Sequence, residues 1–280
     1  MKKVALLGAG GKMGVRLATN LADSPYEVSH TEITEEGRAR LFSAVGAECV
    51  AQDEAIAGAD AVILAVPDNL IGPVSREIID SLSPGTALVV LDAAAPHAGE
   101  MPEREDVTIF VTHPCHPALY APTSGNTDRP DLFGGDQAVQ HIVCALMQGP
   151  EEHYEACEKI ARTIYAPVER AHRCTVEHIA ILEPAMSESV AATFCYALRE
   201  AVDAAVRRGV PEQAARDFML GHLGLELAIV FGIYPGGQFS DGAMRAVELA
   251  RPAIFRDGWI ESVFDSDAVL ASVKDICTHR

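Results

Sequence analysis

The chain has 280 residues, with 40 acidic against 22 basic side chains and a formal charge of −18, a balance that repels phosphate backbones and anionic lipid, so neither nucleic acid nor membrane is an expected partner. Its 49% apolar and 22% charged residues are those of a globular protein large enough for one large or two ordinary domains. The seven cysteines (Cys49, Cys115, Cys144, Cys157, Cys174, Cys195, Cys277) form no CxxC pair, MKKVALLG reads as a strand rather than a signal sequence, and no run reaches the roughly 20 apolar residues of a membrane span, so a reduced, cytoplasmic protein is expected.

A strand is expected at residues 4–7, followed at once by Gly8-Ala9-Gly10-Gly11-Lys12-Met13-Gly14 and a helix at 13–22. Glycines permit a tight turn and close approach to a pyrophosphate, and a new helix offers that anion free N–H groups and a positive dipole end. The spacing aligns with GxGxxG through Ala9, Gly11 and Gly14, or with GxxGxxG through Gly8, Gly11 and Gly14. The strand at 27–33 carries Glu32 near its end, where a carboxylate accepts hydrogen bonds from the ribose hydroxyls of NAD and repels the extra phosphate of NADP. NAD is therefore expected over NADP, although Arg38 and Arg40 follow closely.

A helix at 35–45 and a weak strand near Cys49 come next, then strands at 61–66, 87–91 and 107–112 with a helix at 70–81 between the first two. In an open α/β sheet, ligands lie beyond the carboxyl ends of the strands, which assigns Val66, Pro67, Asp68 and Ala93 to the cofactor site. Ala93 and Ala94 are small enough for a nicotinamide to approach, or they are packing residues. The last of these strands runs into VTHPCHP, where His113 and His116 each precede a proline in what reads as a stiff turn. Three roles stay open for the pair: a catalytic base with a pKa near neutrality, a metal clip completed by Cys115 or a carboxylate, or a turn bonded to backbone.

An apolar run at 141–147, a helix at 151–165 and a strand at 168–174 follow; from Thr175 onward the pattern is helical, at 175–208 with an interruption at Pro184, then 212–232, 240–255 and 260–278. The expected architecture is an α/β Rossmann domain with a doubly wound, mainly parallel sheet (residues 1–174), followed by an all-α domain for substrate binding and dimerisation (175–280). Within ILEPAMSE, Glu183 and Ser187 share a helical face, whereas Glu188 lies about 140° from Glu183 unless Pro184 distorts the helix. Gly221 and Gly224 beside His222 suggest close helix packing. The apolar stretch 223–232 needs cover on more than one side, which makes a homodimer the default expectation.

GAGGKMG, AVILAVPDN, LVVLDAAAP and the HP pair before a helical half resemble the superfamily of 6-phosphogluconate, prephenate and β-hydroxyacid dehydrogenases; the glycine turn is also similar to that of dihydrodipicolinate reductases. THPCHP, ILEPAMSE and SDGAMRA resemble, more narrowly, the bacterial family with a phosphogluconate-dehydrogenase-like C-terminal domain that includes the D-apionate oxidoisomerases. The resemblance implies an NAD-dependent oxidoreductase for a small hydroxy or sugar acid. It also implies a dimer whose loop at 234–242 reaches the neighbour's site. The lysine that β-hydroxyacid and 6-phosphogluconate enzymes carry early in the helical domain has no counterpart at 175–208. By the prephenate dehydrogenase pattern, His113 takes its place at the reacting hydroxyl. The narrower family implies oxidation at C2 of D-apionate and a 1,2-shift to 3-oxo-isoapionate, with His116, Glu183 or Glu188 as a second base. A prephenate-like or other hydroxyacid dehydrogenase without rearrangement and a non-catalytic nicotinamide-sensing regulator are the alternatives.

Overall fold

The computed structural model describes residues 1–120, 131–135 and 137–278. These residues form two compact units, Met1–Glu183 together with Leu270–Arg280, and Pro184–Val269.

The first unit is built on a seven-stranded sheet of order β2-β1-β3-β4-β5-β6-β7, with β1 at Lys3–Leu7, β2 at Glu27–Thr31, β3 at Ala61–Leu64, β4 at Ala87–Val90, β5 at Thr108–Pro114, β6 at Gln140–Gln148 and β7 at Val168–Arg173. Strands β1 to β5 are mutually parallel, β6 runs antiparallel to β5, and β7 runs parallel to β6. Its helices are α1 (Lys12–Ala22), α2 (Glu35–Val45), α3 (Gln52–Ile56), α4 (Asp68–Ile78), α5 (Ala94–His97), α6 (Glu152–Ile164) and α7 (Val176–Ala180). Alternate residues of β1, Val4 and Leu6 against Ala5 and Leu7, are all buried, because helices cover both faces; this is why parallel strands read as unbroken apolar runs. On one face Leu17 and Leu21 of α1 and Cys157, Ile160 and Ile164 of α6 pack on Leu6, Ile63, Val89 and Phe110. Phe110 meets Tyr154 edge to face at 5.5 Å. All seven cysteines are free thiols, and burial pushes Cys144 and Cys157 up to about 12.

Several local expectations need correction. The weak strand near Cys49 is a single bridge to His30, so the HP pair stands on the fifth strand rather than after a sixth. His113 and Pro114 are not in a turn but at the end of β5, paired with Val143 and Ile142 of β6. A proline is tolerated there because β5 has outrun β4, whose pairing stops at Val90 opposite Val111, and the ladder resumes when the Cys115 N–H donates to the His141 carbonyl at 2.9 Å. The helix expected at 175–208 with an interruption at Pro184 is three segments: α7, a π-helical stretch Ile181–Ala192, and α8 (Thr193–Val206). Pro184 has no N–H to donate, and the widened turn lets the Ser189 hydroxyl donate to the Pro184 carbonyl at 2.8 Å.

The second unit contains α8, α9 (Glu212–Val230), α10 (Asp241–Ile254), α11 (Trp259–Val263) and the start of α12 (Ser266–Thr278). The helix expected at 260–278 breaks where the Asp265 carboxylate accepts from the N–H groups of Asp267 and Ala268 and starts a new helix. Phe194 packs edge to face on Phe255 and Trp259, which stack on each other at 5.3 Å. A side chain added at Gly221 would meet nothing within 4 Å among the described residues, so that glycine does not mark a close helix contact there. Among the described residues no helix is long and apolar enough to cross a membrane.

Candidate active site

Parallel strands deliver their carboxyl ends to one edge of the sheet, and there the first unit gathers the glycine loop, the segment after β3, Asp92 after β4, and His113 at the end of β5. In the loop, Gly8 has φ +79°, and a Cβ on it would stand 2.4 Å from the Ala65 carbonyl oxygen; a Cβ on Gly14 would stand 2.0 Å from the Gly8 oxygen. These contacts select the alignment through Gly8, Gly11 and Gly14 and make Ala9, which is fully buried, a core residue rather than the first glycine of the pattern. Helix α1 starts at Lys12 with no acidic residue in its first turn, so its unsatisfied N–H groups, those of Lys12, Met13 and Gly14, keep their positive end available to an anion.

Glu32 lies beside this loop. Its carboxylate accepts from the Gly10 N–H at 3.1 Å and from the N–H and hydroxyl of Thr34, both at 2.9 Å. Partial burial would raise its pKa, but the bonds from Thr34 and Gly10 outweigh that and hold it below the usual carboxylate value. Arg38 and Arg40, which argued for NADP, donate instead to the backbone carbonyls of Glu32 and Gly10. Pro67 and Asp68 are exposed at the start of α4, with Val66 partly buried before them. The Ala93 side chain is fully buried, so it packs at the sheet edge.

The acid/base residues divide. His113 Nδ1 lies 2.9 Å from the Pro114 carbonyl oxygen and His116 Nδ1 lies 2.9 Å from that of Phe133. A carbonyl only accepts, so each Nδ1 carries the proton and each neutral ring presents its lone pair at Nε2. The rings stand 6.2 Å apart and nearly perpendicular. Burial pushes the His113 pKa below the ordinary histidine value, opposed by the charge of Asp92. Its Nε2 is 3.9 Å from Glu183 Oε1, and Asp92, His113 and Glu183 place one donor atom each within 4.8 Å of one another. Of the metal-clip alternatives open for the two histidines, the donors that meet are His113 and a carboxylate, Glu183, with Asp92, rather than His116 and Cys115. Glu188 belongs to the second unit and is exposed.

Two residues at this edge escaped sequence reasoning as site members. Asp92 is 5% exposed and its Oδ1 accepts from the Ala94 N–H at 2.6 Å; the carboxylate directly after a strand was its only trace. Phe133 carries the His116 hydrogen bond and lies under the Lys12 ammonium and the Arg16 guanidinium, 4.2 and 4.5 Å from its ring centre. His116 holds φ +59°, a left-handed conformation that costs a side-chain-bearing residue roughly 1–2 kcal/mol.

Residues 1–123 match the acetohydroxy acid isomeroreductase NADPH-binding domain, and residues 123–277 match the phosphogluconate dehydrogenase (decarboxylating) C-terminal family. A D-apionate oxidoisomerase of Cupriavidus necator is 50% identical over 98% of this chain and 99% of its own length, and one of Rhizobium rhizogenes is 50% identical over 99% and 100%. A crystal structure described as a semialdehyde dehydrogenase NAD-binding protein from Cupriavidus necator, in complex with calcium and NAD, superposes with a TM-score of 0.94 at 49% identity over 99% of both chains. On this similarity over its whole length, the chain belongs to the D-apionate oxidoisomerase family, whose C-terminal half is of the phosphogluconate dehydrogenase type.

Proposed function

We propose that the protein is a cytoplasmic, homodimeric oxidoreductase that oxidises D-apionate at C2 with NAD and rearranges the product to 3-oxo-isoapionate. The observation that carries this reading is the meeting, at one sheet edge, of a glycine loop fit for a pyrophosphate with imidazoles whose Nε2 lone pairs are fixed by backbone carbonyls. NAD supplies a hydride acceptor. Gly8, Gly11 and Gly14 with the N–H groups of Lys12 and Met13 hold its pyrophosphate, Glu32 its adenosine ribose, and Val66, Pro67, Asp68 and Ala93 border the path to the nicotinamide. As the C2–H electron pair leaves with the hydride, the C2 hydroxyl proton passes to an Nε2 atom of His113 or His116. The carboxylate of Glu188 is assigned to the substrate's hydroxyl groups, and that of Glu183, beside His113, to the substrate's oxygens directly or through a bound cation.

Residues 1–174 are assigned to NAD and residues 175–280 to substrate binding and dimerisation. The apolar surface of the second unit supports the dimer: Tyr196, Phe218, Val230, Phe231, Leu249 and Ile254 are each at least 66% exposed except Leu249 at 62%, more than a lone chain usually leaves to water.

The test is NADH formation from D-apionate with the product resolved by NMR. NADH together with a branched 3-oxo acid is expected. NADH with an unrearranged 2-oxo acid would reduce the protein to a plain hydroxyacid dehydrogenase, and NAD binding without turnover of any hydroxy acid would favour a nicotinamide sensor.

A further inference from the structure

We propose that Asp92, His113 and Glu183 bind a divalent cation of the magnesium or manganese class, and that this ion serves the rearrangement; its catalytic part rests on the substrate reading above. Ligand atoms about 2.1–2.4 Å from one ion stand about 3–4.5 Å apart. The three donors lie within 4.8 Å of one another, with His113 Nε2 3.9 Å from Glu183 Oε1, so shifts of a few tenths of an ångström close the set.

Independent features aim these groups at a cation. The Nδ1–H of His113 is held by the Pro114 carbonyl, which fixes the Nε2 lone pair toward the carboxylates, the backbone-anchored orientation common to metal-binding histidines. Asp92 is 95% buried by its 5% exposure, is oriented through Oδ1 by the Ala94 N–H, and among the described residues forms no ion pair with lysine or arginine. A carboxylate buried as deeply as that of Asp92 calls for a compensating positive charge. The three residues also come from three separate places, the loop after β4, β5 and the π-helical stretch, so no single element's own hydrogen bonding explains their convergence. Two oxygen donors and one imidazole suit magnesium or manganese better than the sulfur-rich set of a structural zinc.

The chemistry gives the ion a task. After the hydride has left, C2 is a ketone between the carboxylate and the tertiary alcohol at C3. In the shift, the C3 hydroxyl loses its proton to a base and its oxygen becomes the new carbonyl. The C3–C4 bond breaks, and its electron pair forms the C2–C4 bond. The π pair of the old carbonyl goes to the C2 oxygen, which takes up a proton. Electrons balance, so no oxidant beyond the NAD of the first step is needed. The costly feature is negative charge growing on the C2 oxygen, and a divalent cation held by Asp92, His113 and Glu183 would offset it. With His113 on the ion, the Nε2 of His116 is left as the base, which separates the tasks of the two imidazoles.

The site is tested first without substrate. Manganese(II) alone is titrated into chelator-treated full-length protein, with the free ion followed by electron paramagnetic resonance, for the unaltered chain, Asp92→Asn and Glu183→Gln; cooperative thermal unfolding verifies that each variant is folded. One site is expected, weakened about tenfold or more in either folded variant. Absence of binding, or equal binding in both variants, overturns the site. In the second arm, chelator is expected to lower the yield of rearranged acid from D-apionate about tenfold or more, with recovery on adding magnesium or manganese. Rearrangement at full rate under chelator overturns the catalytic role. Absence of NADH from D-apionate with every ion would mean that the substrate reading has failed, while the manganese titration still decides the site.

Discussion

The two units differ in how far their own chain covers their apolar surface. In the first, side chains such as Leu6, Leu17, Ile63, Phe110 and Ile160 are fully buried by two layers of helix around one sheet. In residues 184–269, the buried apolar side chains among the described residues are Pro184, Ala185, Val202, Ala215 and Val269, while Phe218 and Phe231 are 68% and 73% exposed. A sheet with helices on both faces closes its core within one chain. A set of helices joined mainly by the α8 and α9 contact and the aromatic trio of Phe194, Phe255 and Trp259 leaves large apolar side chains exposed, the surface on which the proposed dimer rests.

The largest effect should come from the closed core. Phe110→Ala removes a fully buried ring and is expected to cost about 3–5 kcal/mol in denaturant unfolding; a loss under about 1 kcal/mol would mean that the first unit is not the stable partner in this comparison. For the open unit, the expected defect is in association: Phe231→Glu should convert a dimer to a monomer in sedimentation, at a cost on the order of 2 kcal/mol or more to the interface. A monomeric unaltered chain would break the contrast. Glu32→Ala should leave both units folded and weaken NAD about tenfold to a hundredfold, the loss of one or two charged hydrogen bonds, while NADP loses less; an unchanged NAD titration would remove Glu32 from the ribose. The smallest effect belongs to Thr34→Ala. Its hydroxyl caps α2 by accepting from the Gly37 N–H and donates to Glu32, so about 1 kcal/mol should be lost from the first unit, and thermal unfolding will show whether NAD restores it.

The same contrast governs what was legible in the sequence. Continuous apolar runs bounded by glycine and proline located the strands of the first unit because burial on both faces leaves little else in them, and Gly8, Gly11, Gly14 and Glu32 were visible because a nucleotide turn demands particular residues at particular places. His113 and Glu183 stood out by type and neighbourhood. Asp92 did not, since an acidic residue after a strand is common and only the fold brings it to Glu183. The proline at position 184 announced a distortion, yet nothing in ILEPAMSE specifies a π-helical turn over a kink; that choice depends on where Ser189 finds its acceptor. Phe133 was silent because its role comes from contacts with Lys12, Arg16 and His116 that no periodicity encodes.

The bonding of His113 and His116 at Nδ1 bears on how the catalyst resets itself. A histidine relay takes a proton at one ring nitrogen and releases it from the other, but here both outer nitrogens are committed to carbonyl oxygens, which accept a hydrogen bond and cannot carry a proton onward. His116, whose Nε2 is left as the base, therefore has one working port. A proton collected at Nε2 has to leave by the same atom, on the side where the ligand sits, so the ring regains its lone pair by protonating the rearranged product or after that product has gone. Turnover is thereby tied to product departure.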